Sequence, residues 1–201
     1  WLFDRWPAMA AWRRALYRLL AARAGQLTVH SEAALTAARR ALPHARVQML
    51  YFGVAQQQFE VLRPVVPRAL QGGDRPLRVF APGSDPSRDW QTLLRAVGND
   101  PRFELVLLTQ QAAALSAAAG CRHVRVKQWR GLAHLLALYD ACDVVAIPMV
   151  ENNYAGITVG LEATLRGRPV VAARTGGVEG YLGPEGASWY PPGDPDALRE
   201  A

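Results

Sequence analysis

From Leu77 onward, short apolar runs alternate with stretches of helical period, and this alternation restricts the possible folds more than any other feature. The runs at 77–81, 103–108, 123–127, 144–148, 169–173 and 187–190 read as strands. The stretches at 89–97, 110–118, 131–141, 157–166 and 195–201 read as helices. The strands are continuously apolar, as expected when helices cover both faces of a sheet. Strand alternating with helix implies right-handed crossovers and an α/β fold, a Rossmann-like doubly wound parallel sheet. Ligands of such sheets bind beyond the carboxyl ends of the strands. The loops after residues 81, 127, 148 and 173 should therefore share one rim.

Within that pattern, residues 146–173 (AIPMVENNYAGITVGLEATLRGRPVVAA) read as a buried strand, a polar loop, a helix opening at Gly156 and a second buried strand. Gly156, Ile157 and Thr158 make the first helical turn, where backbone N–H groups lack intrahelical partners and the macrodipole is positive. A phosphate or diphosphate placed there takes several hydrogen bonds at once. Glu162 follows one turn later, where a carboxylate can accept from ribose hydroxyls.

The first third of the chain is organised differently. Residues 8–24 read as a helix with Met9, Trp12, Leu16, Leu19 and Leu20 on one stripe. A short strand at 26–30 precedes Ser31, a helix cap for residues up to about Leu42, and a further strand covers 47–52. Residues 55–76 are rich in Gln, Pro and Gly, with a turn at 71–74, and read as an interdomain linker. The implied domains are 1–54, the linker 55–76, and 77–201.

Half of the 201 residues are apolar, enough for a substantial core, and no apolar run is long enough to span a bilayer. The chain opens at Trp1 with no signal-peptide pattern and stops at Ala201 inside a helical pattern, which reads as a piece of a longer protein. The 23 basic residues exceed the 17 acidic ones to give +6, favouring anionic partners: nucleotide phosphates, an acidic membrane surface or nucleic acid. All the basic residues but Lys127 are arginine, which fits a GC-rich coding bias as readily as a ligand. Cys121 and Cys142 sit in or beside apolar elements with no spacing motif, and read as reduced, buried and inert in a cytoplasmic setting. The four histidines are scattered without an i,i+4 pair or cysteine partners, so no metal site is expected. Gly-x-Ser-x-Gly and Gly-x-Gly-x-x-Gly are both missing, which removes the hydrolase elbow and the dinucleotide fingerprint.

Glu162, Ala163, Gly167, Pro169, Val170, Val171 and Ala172, followed by the turn Thr175, Gly176 and Gly177, resemble the donor-binding domain of GT-B glycosyltransferases of the retaining family 4. The tail at 186–198 is similar to that family's ending, and residues 1–54 resemble the end of its N-terminal acceptor domain. The resemblance implies transfer of a sugar from a nucleotide diphosphate to an acceptor hydroxyl, with retention and without metal or cofactor. In the family, a first Glu stands eight residues before the second. Here that position is Tyr154, and Glu151 lies three residues too early.

The same resemblance assigns roles along the rim. In the loop at 82–90, Gly83 and Ser84 stand where the family has Gly-Arg, and Arg88 takes the place of a diphosphate-binding lysine. A guanidinium there would stabilise charge developing on the leaving group, so Arg88 and Glu162 are the candidate catalytic residues. The plain alternative for Arg88 is a solvated helix-start arginine, and for Glu162 an ordinary surface helix residue. Trp129 can stack on a base or simply cover the end of the sheet. Asn152, Asn153 and Tyr154, with Ala155 beside them, can hold sugar hydroxyls in place of the missing Glu, or the asparagines can merely shape the turn. The partners implied are a nucleotide sugar and an acceptor that is a glycan, a lipid-linked group or a small molecule. Arginines of the first helix are able to touch an anionic membrane at its inner face, although a solvated face is the simpler reading. The competing classes are a non-catalytic nucleotide-sugar sensor or scaffold and, supported by charge alone, a nucleic-acid binder.

Overall fold

The computed structural model describes residues 2–3, 5–59 and 75–201. Six strands form one parallel sheet: β3 (Leu77–Pro82), β4 (Phe103–Leu108), β5 (Val124–Lys127), β6 (Val144–Ile147), β7 (Val170–Ala173) and β8 (Ser188–Tyr190). Their order is β5-β4-β3-β6-β7-β8, every neighbouring pair parallel. This is the doubly wound order in which the chain leaves β3 toward one edge and returns on its other side with β6. The gap between the carboxyl ends of β3 and β6 is the topological switch point, where ligands of such sheets bind.

The crossovers are α4 (Trp90–Val97), α5 (Ala112–Ala118), α6 (Leu132–Ala141), α7 (Ile157–Leu165), α8 (Gly176–Leu182) and α9 (Pro195–Glu200). Phe80, Leu105, Leu107, Val145, Ile147 and Met149 lie fully buried in one core with Leu93 of α4 and Tyr139 of α6. Full burial of an aliphatic side chain contributes about 1.5–3 kcal/mol, so these continuous runs hold the sheet between its helices. Asp143 ties the start of the sheet together. It accepts Arg75 Nη1 at 2.7 Å, Arg75 Nη2 at 2.8 Å and the Arg78 amide at 2.9 Å. Those bonds hold its carboxyl below the usual range, the Arg75 hydrogen bond being the main cause.

The N-terminal part contains α1 (Ala11–Arg23), β1 (Leu27–Val29), α2 (Glu32–Ala41) and β2 (Val47–Met49), with β1 and β2 paired in parallel as a separate sheet. Ser31 caps α2 by accepting from the Ala34 amide at 3.1 Å, the signal expected from its type and place. The apolar stripe of α1 differs from expectation. Trp12, Leu19 and Leu20 are more than half exposed, whereas Ala21 is buried. The helix packs through Ala21 against Trp6, Ala41 and Leu42, and Arg18 Nε donates to the Ala41 carbonyl at 3.2 Å, which turns the stripe outward. In the segment read as a linker, Gln56–Phe59 form a short helix, α3; the rest of that reading, 60–74, lies outside the described residues. Among the described residues, no helix is long and apolar enough to cross a membrane.

The two parts meet at α8 and at the loop before α7. The Tyr181 hydroxyl donates to the His30 carbonyl at 2.6 Å and accepts the Phe52 amide at 2.7 Å. Ser31 Oγ donates to the Asn153 carbonyl in a short hydrogen bond.

Candidate functional site

The loops leaving β3 and β6 are joined across the switch point by an antiparallel bridge between Arg88 and Met149. Its bonds run from the Asp89 amide to the Pro148 carbonyl at 3.0 Å and from the Val150 amide to the Ser87 carbonyl at 2.9 Å. Asp85 shapes the first loop: it accepts the Ser87 amide at 3.1 Å and Arg88 Nε at 2.8 Å. Asp89 then caps α4, accepting the Thr92 amide at 3.0 Å and its hydroxyl at 2.6 Å.

Arg88 is not the solvated arginine that a helix start suggests. Its side chain is 2% exposed and lies beneath the bare α-carbon of Gly83. Its Nη1 is buried without a hydrogen-bond partner among the described residues. An unsatisfied buried donor costs about 1–3 kcal/mol, so this group is poised for an acceptor that none of the described residues supplies.

The second loop is built by Asn152. Its Oδ1 accepts the Tyr154 amide at 3.1 Å and the Ala155 amide at 2.7 Å, while its Nδ2 donates to the Val150 carbonyl at 2.8 Å. The turn-making alternative therefore holds for Asn152, whose amide is engaged within the loop. Gly156 follows at φ +86° as the N-cap of α7, without a side-chain cap. A side chain there would meet Val178 at 2.6 Å and Ile147 at 3.0 Å, so backbone conformation and space both require glycine. The first amides of α7 are left uncapped as an anion site requires.

Glu162, on the second turn of α7, accepts the Tyr139 hydroxyl on Oε2 at 2.8 Å. Burial pushes its carboxyl above the usual range, opposed by the Tyr139 hydrogen bond and the Arg88 charge. Burial, reinforced by Glu162, raises the Tyr139 phenol far above its ordinary value, so it remains a donor. The Tyr190 phenol is raised chiefly by burial as well, and its hydroxyl is buried without a partner among the described residues, like that of Thr175 at the start of α8.

A pocket of about 240 Å³ opens at this rim. Five residues expected from the sequence line it: Gly83, Ser84, Trp129, Thr158 and Glu162. Ser84, Trp129 and Thr158 are exposed, Trp129 at 52%. Ala155 and Ile157 are buried, so only their backbone groups are available to a ligand. Asn153 and Tyr154 lie in the loop before α7 and outside the pocket lining; Tyr154 packs against the main core. Thr109 and Gln110, just after β4, also line the pocket. Their place at a strand's carboxyl end was the available signal. Tyr139 gave none beyond a polar tip in an apolar helix. A larger open groove of about 720 Å³, with Asp100, Cys121 and Arg199 in its wall, lies at the amino end of β4, away from this rim. Cys121 is therefore half-buried rather than buried as expected, while Cys142 is buried.

Residues 77–201 match the profile of the family "Glycosyl transferases group 1". Among curated proteins, a D-inositol 3-phosphate glycosyltransferase of Corynebacterium diphtheriae is 31% identical over 104 residues, covering 44% of this chain and 24% of that protein. Among solved structures, sucrose-phosphate synthase of Thermosynechococcus elongatus superposes with a TM-score of 0.76 at 21% identity, over 96% of this chain and 51% of that one. A glycosyltransferase of Rickettsia africae superposes at 0.73 with 12% identity, over 96% and 56% of the two chains. The chain thus spans about a quarter of the curated relative and about half of the solved ones. The family match covers the whole six-stranded sheet and its rim, and the chain belongs to the glycosyl transferases group 1 family, with the GT-B fold.

Proposed function

We propose that this chain carries the donor-binding half of a glycosyltransferase that moves a sugar from a nucleoside diphosphate to an acceptor hydroxyl, with retention of configuration. The observation that carries the reading is the pocket beside the uncapped start of α7, which brings Gly83, Ser84, Thr158 and Glu162 together with Arg88 behind Gly83. In this reading the diphosphate lies at the first turn of α7, with amides of Gly156, Ile157 and Thr158 facing it. Arg88, behind Gly83 and outside the pocket lining, supplies a guanidinium from a desolvated position, part of its charge balanced by Asp85, where hydrogen bonding to a leaving diphosphate is strong. Its free Nη1 is the donor that a phosphate oxygen would satisfy. Glu162 accepts from the ribose hydroxyls, Trp129 offers a face to the base, and the Asn153–Tyr154 segment borders the sugar. The arrangement stabilises the departing nucleotide without needing a metal or a cofactor. The acceptor is a glycan, a lipid-linked group or a small molecule, bound on the side of the N-terminal part.

A second reading, a nucleotide-sugar sensor or scaffold without turnover, draws on one observation. Where relatives of this pattern place a carboxylate, this chain has Tyr154 packed against its core, beside an Asn152 side chain bonded within the loop. Incubating the full-length protein with a panel of nucleoside-diphosphate sugars and candidate acceptors separates the two. Product formation with release of nucleoside diphosphate supports the transferase; tight binding without release, for every donor and acceptor tried, favours the sensor.

A further inference from the structure

Tyr139 is fully buried on α6, its ring edge-on to Phe80 with centroids 5.1 Å apart, and its hydroxyl reaches out of the core to Glu162 Oε2 at 2.8 Å. The ring alone would satisfy the packing. The hydroxyl adds a polar group to a core position, which is unfavourable unless it is hydrogen-bonded, and its partner is the one carboxylate lining the pocket. We propose that Tyr139 is a positioning residue for the donor site: it fixes the Glu162 carboxylate so that Oε1 faces the ribose diol as an acceptor. This inference rests on the donor-site reading above and goes beyond it by assigning a role to a residue that touches no ligand.

The physical need for such a residue follows from burial. A half-buried carboxyl tends to keep its proton, and a protonated Glu162 would present a donor where two hydroxyls require acceptors. The groups acting on Glu162 are Tyr139 from α6 and Arg88 from the loop after β3, itself paired with Asp85. Both favour the ionised form, and of the two only Tyr139 is hydrogen-bonded to it directly. Burial pushes the Tyr139 phenol up, which keeps it the donor in this pair. One lone-pair site on Oε2 is thereby occupied, and the plane of the carboxylate is set before ligand arrives.

The test uses the full-length protein and calorimetric titration with uridine, guanosine and adenosine diphosphates across a pH series. Tyr139→Phe keeps the ring against Phe80. At alkaline pH, where the carboxylate is ionised with or without Tyr139, it is expected to bind the preferred diphosphate modestly more weakly than the wild type, because the carboxylate is no longer held in place. At mildly acidic pH it should bind about tenfold more weakly than the wild type, the loss of one hydrogen bond to a charged group. The 2′,3′-dideoxy form of the same diphosphate should bind both proteins equally at every pH. Site-specific 3-fluorotyrosine at position 139, a stronger donor with the same packing, should extend tight binding to lower pH, which keeps the test available if the phenylalanine variant does not fold. Superimposable pH profiles for wild type and Tyr139→Phe, with Glu162→Gln weakened, would overturn the inference and leave the donor site standing. No effect of Glu162→Gln on any of the three diphosphates would overturn both.

Discussion

Gly83 and Arg88 are in contact through the side of the glycine that has no side chain: a Cβ on Gly83 would stand 2.3 Å from Arg88 Nε and 2.6 Å from Cζ. Gly83 also sits at φ +151°, a region that other residues rarely adopt. Gly83→Ala should therefore strain the loop and expel the guanidinium together. We expect a loss of about 1–3 kcal/mol in unfolding free energy, read by denaturant titration, with a parallel loss of nucleoside-diphosphate binding. Unchanged binding in the folded variant would separate Arg88 from the ligand.

Removing the guanidinium itself tests its charge. Arg88→Ala should weaken nucleoside-diphosphate binding by about 1.5–3 kcal/mol, as for a hydrogen bond to a charged group. Asp85, its ion-pair partner, is already part-exposed and can be rehydrated, so the fold should survive the change. Calorimetry on the folded variant reads the effect, and an affinity equal to that of the wild type would reduce Arg88 to a loop-building residue.

Glu162 predicts a stability that runs against affinity. Its carboxyl is raised by burial, so the folded state holds the proton more tightly than the unfolded state does. The stabilising contribution of such a group is full below its unfolded pKa and is lost as pH rises through the folded pKa. Glutamine does not titrate. Glu162→Gln should therefore melt higher than the wild type at neutral pH, and the difference should fade on acidification. Thermal scans across pH measure this, and a Tm difference independent of pH would show that the ionised carboxylate is not the strained species.

The loop before α7 should divide by ligand. Asn152→Ala removes the acceptor that holds the Tyr154 and Ala155 amides. It should weaken the bare diphosphate and the sugar nucleotide alike, by about 1–3 kcal/mol. Asn153→Ala or Tyr154→Phe should weaken only the sugar nucleotide, since the bare diphosphate places no group there. Equal losses for both ligands at Tyr154 would mean that the segment only shapes the phosphate site.

How far the sequence carried depends on whether the cause was local. Strand β4 was expected at 103–108 and occupies Phe103–Leu108, because a strand buried on both faces writes itself as a continuous apolar run. The Ser31 cap and the helix start at Gly156 were legible from residue type and place. Relations between elements were not. The bond from Tyr139 to Glu162 joins α6 to α7, and no spacing along the chain encodes it. The burial of Arg88 depends on Gly83 giving way to it across the loop. The outward stripe of α1 reflects which face its neighbours occupy, a matter its own period cannot decide.

Titration of the full-length protein with uridine, guanosine and adenosine diphosphates, repeated on Arg88→Ala and Glu162→Ala, tests the donor site most directly. One saturable site is expected for at least one of the three, competed by the matching sugar nucleotide. Each substitution should weaken it by about tenfold or more. Binding of none of them to the folded wild type, or binding that both variants retain in full, would contradict the assignment of this rim as the nucleotide site.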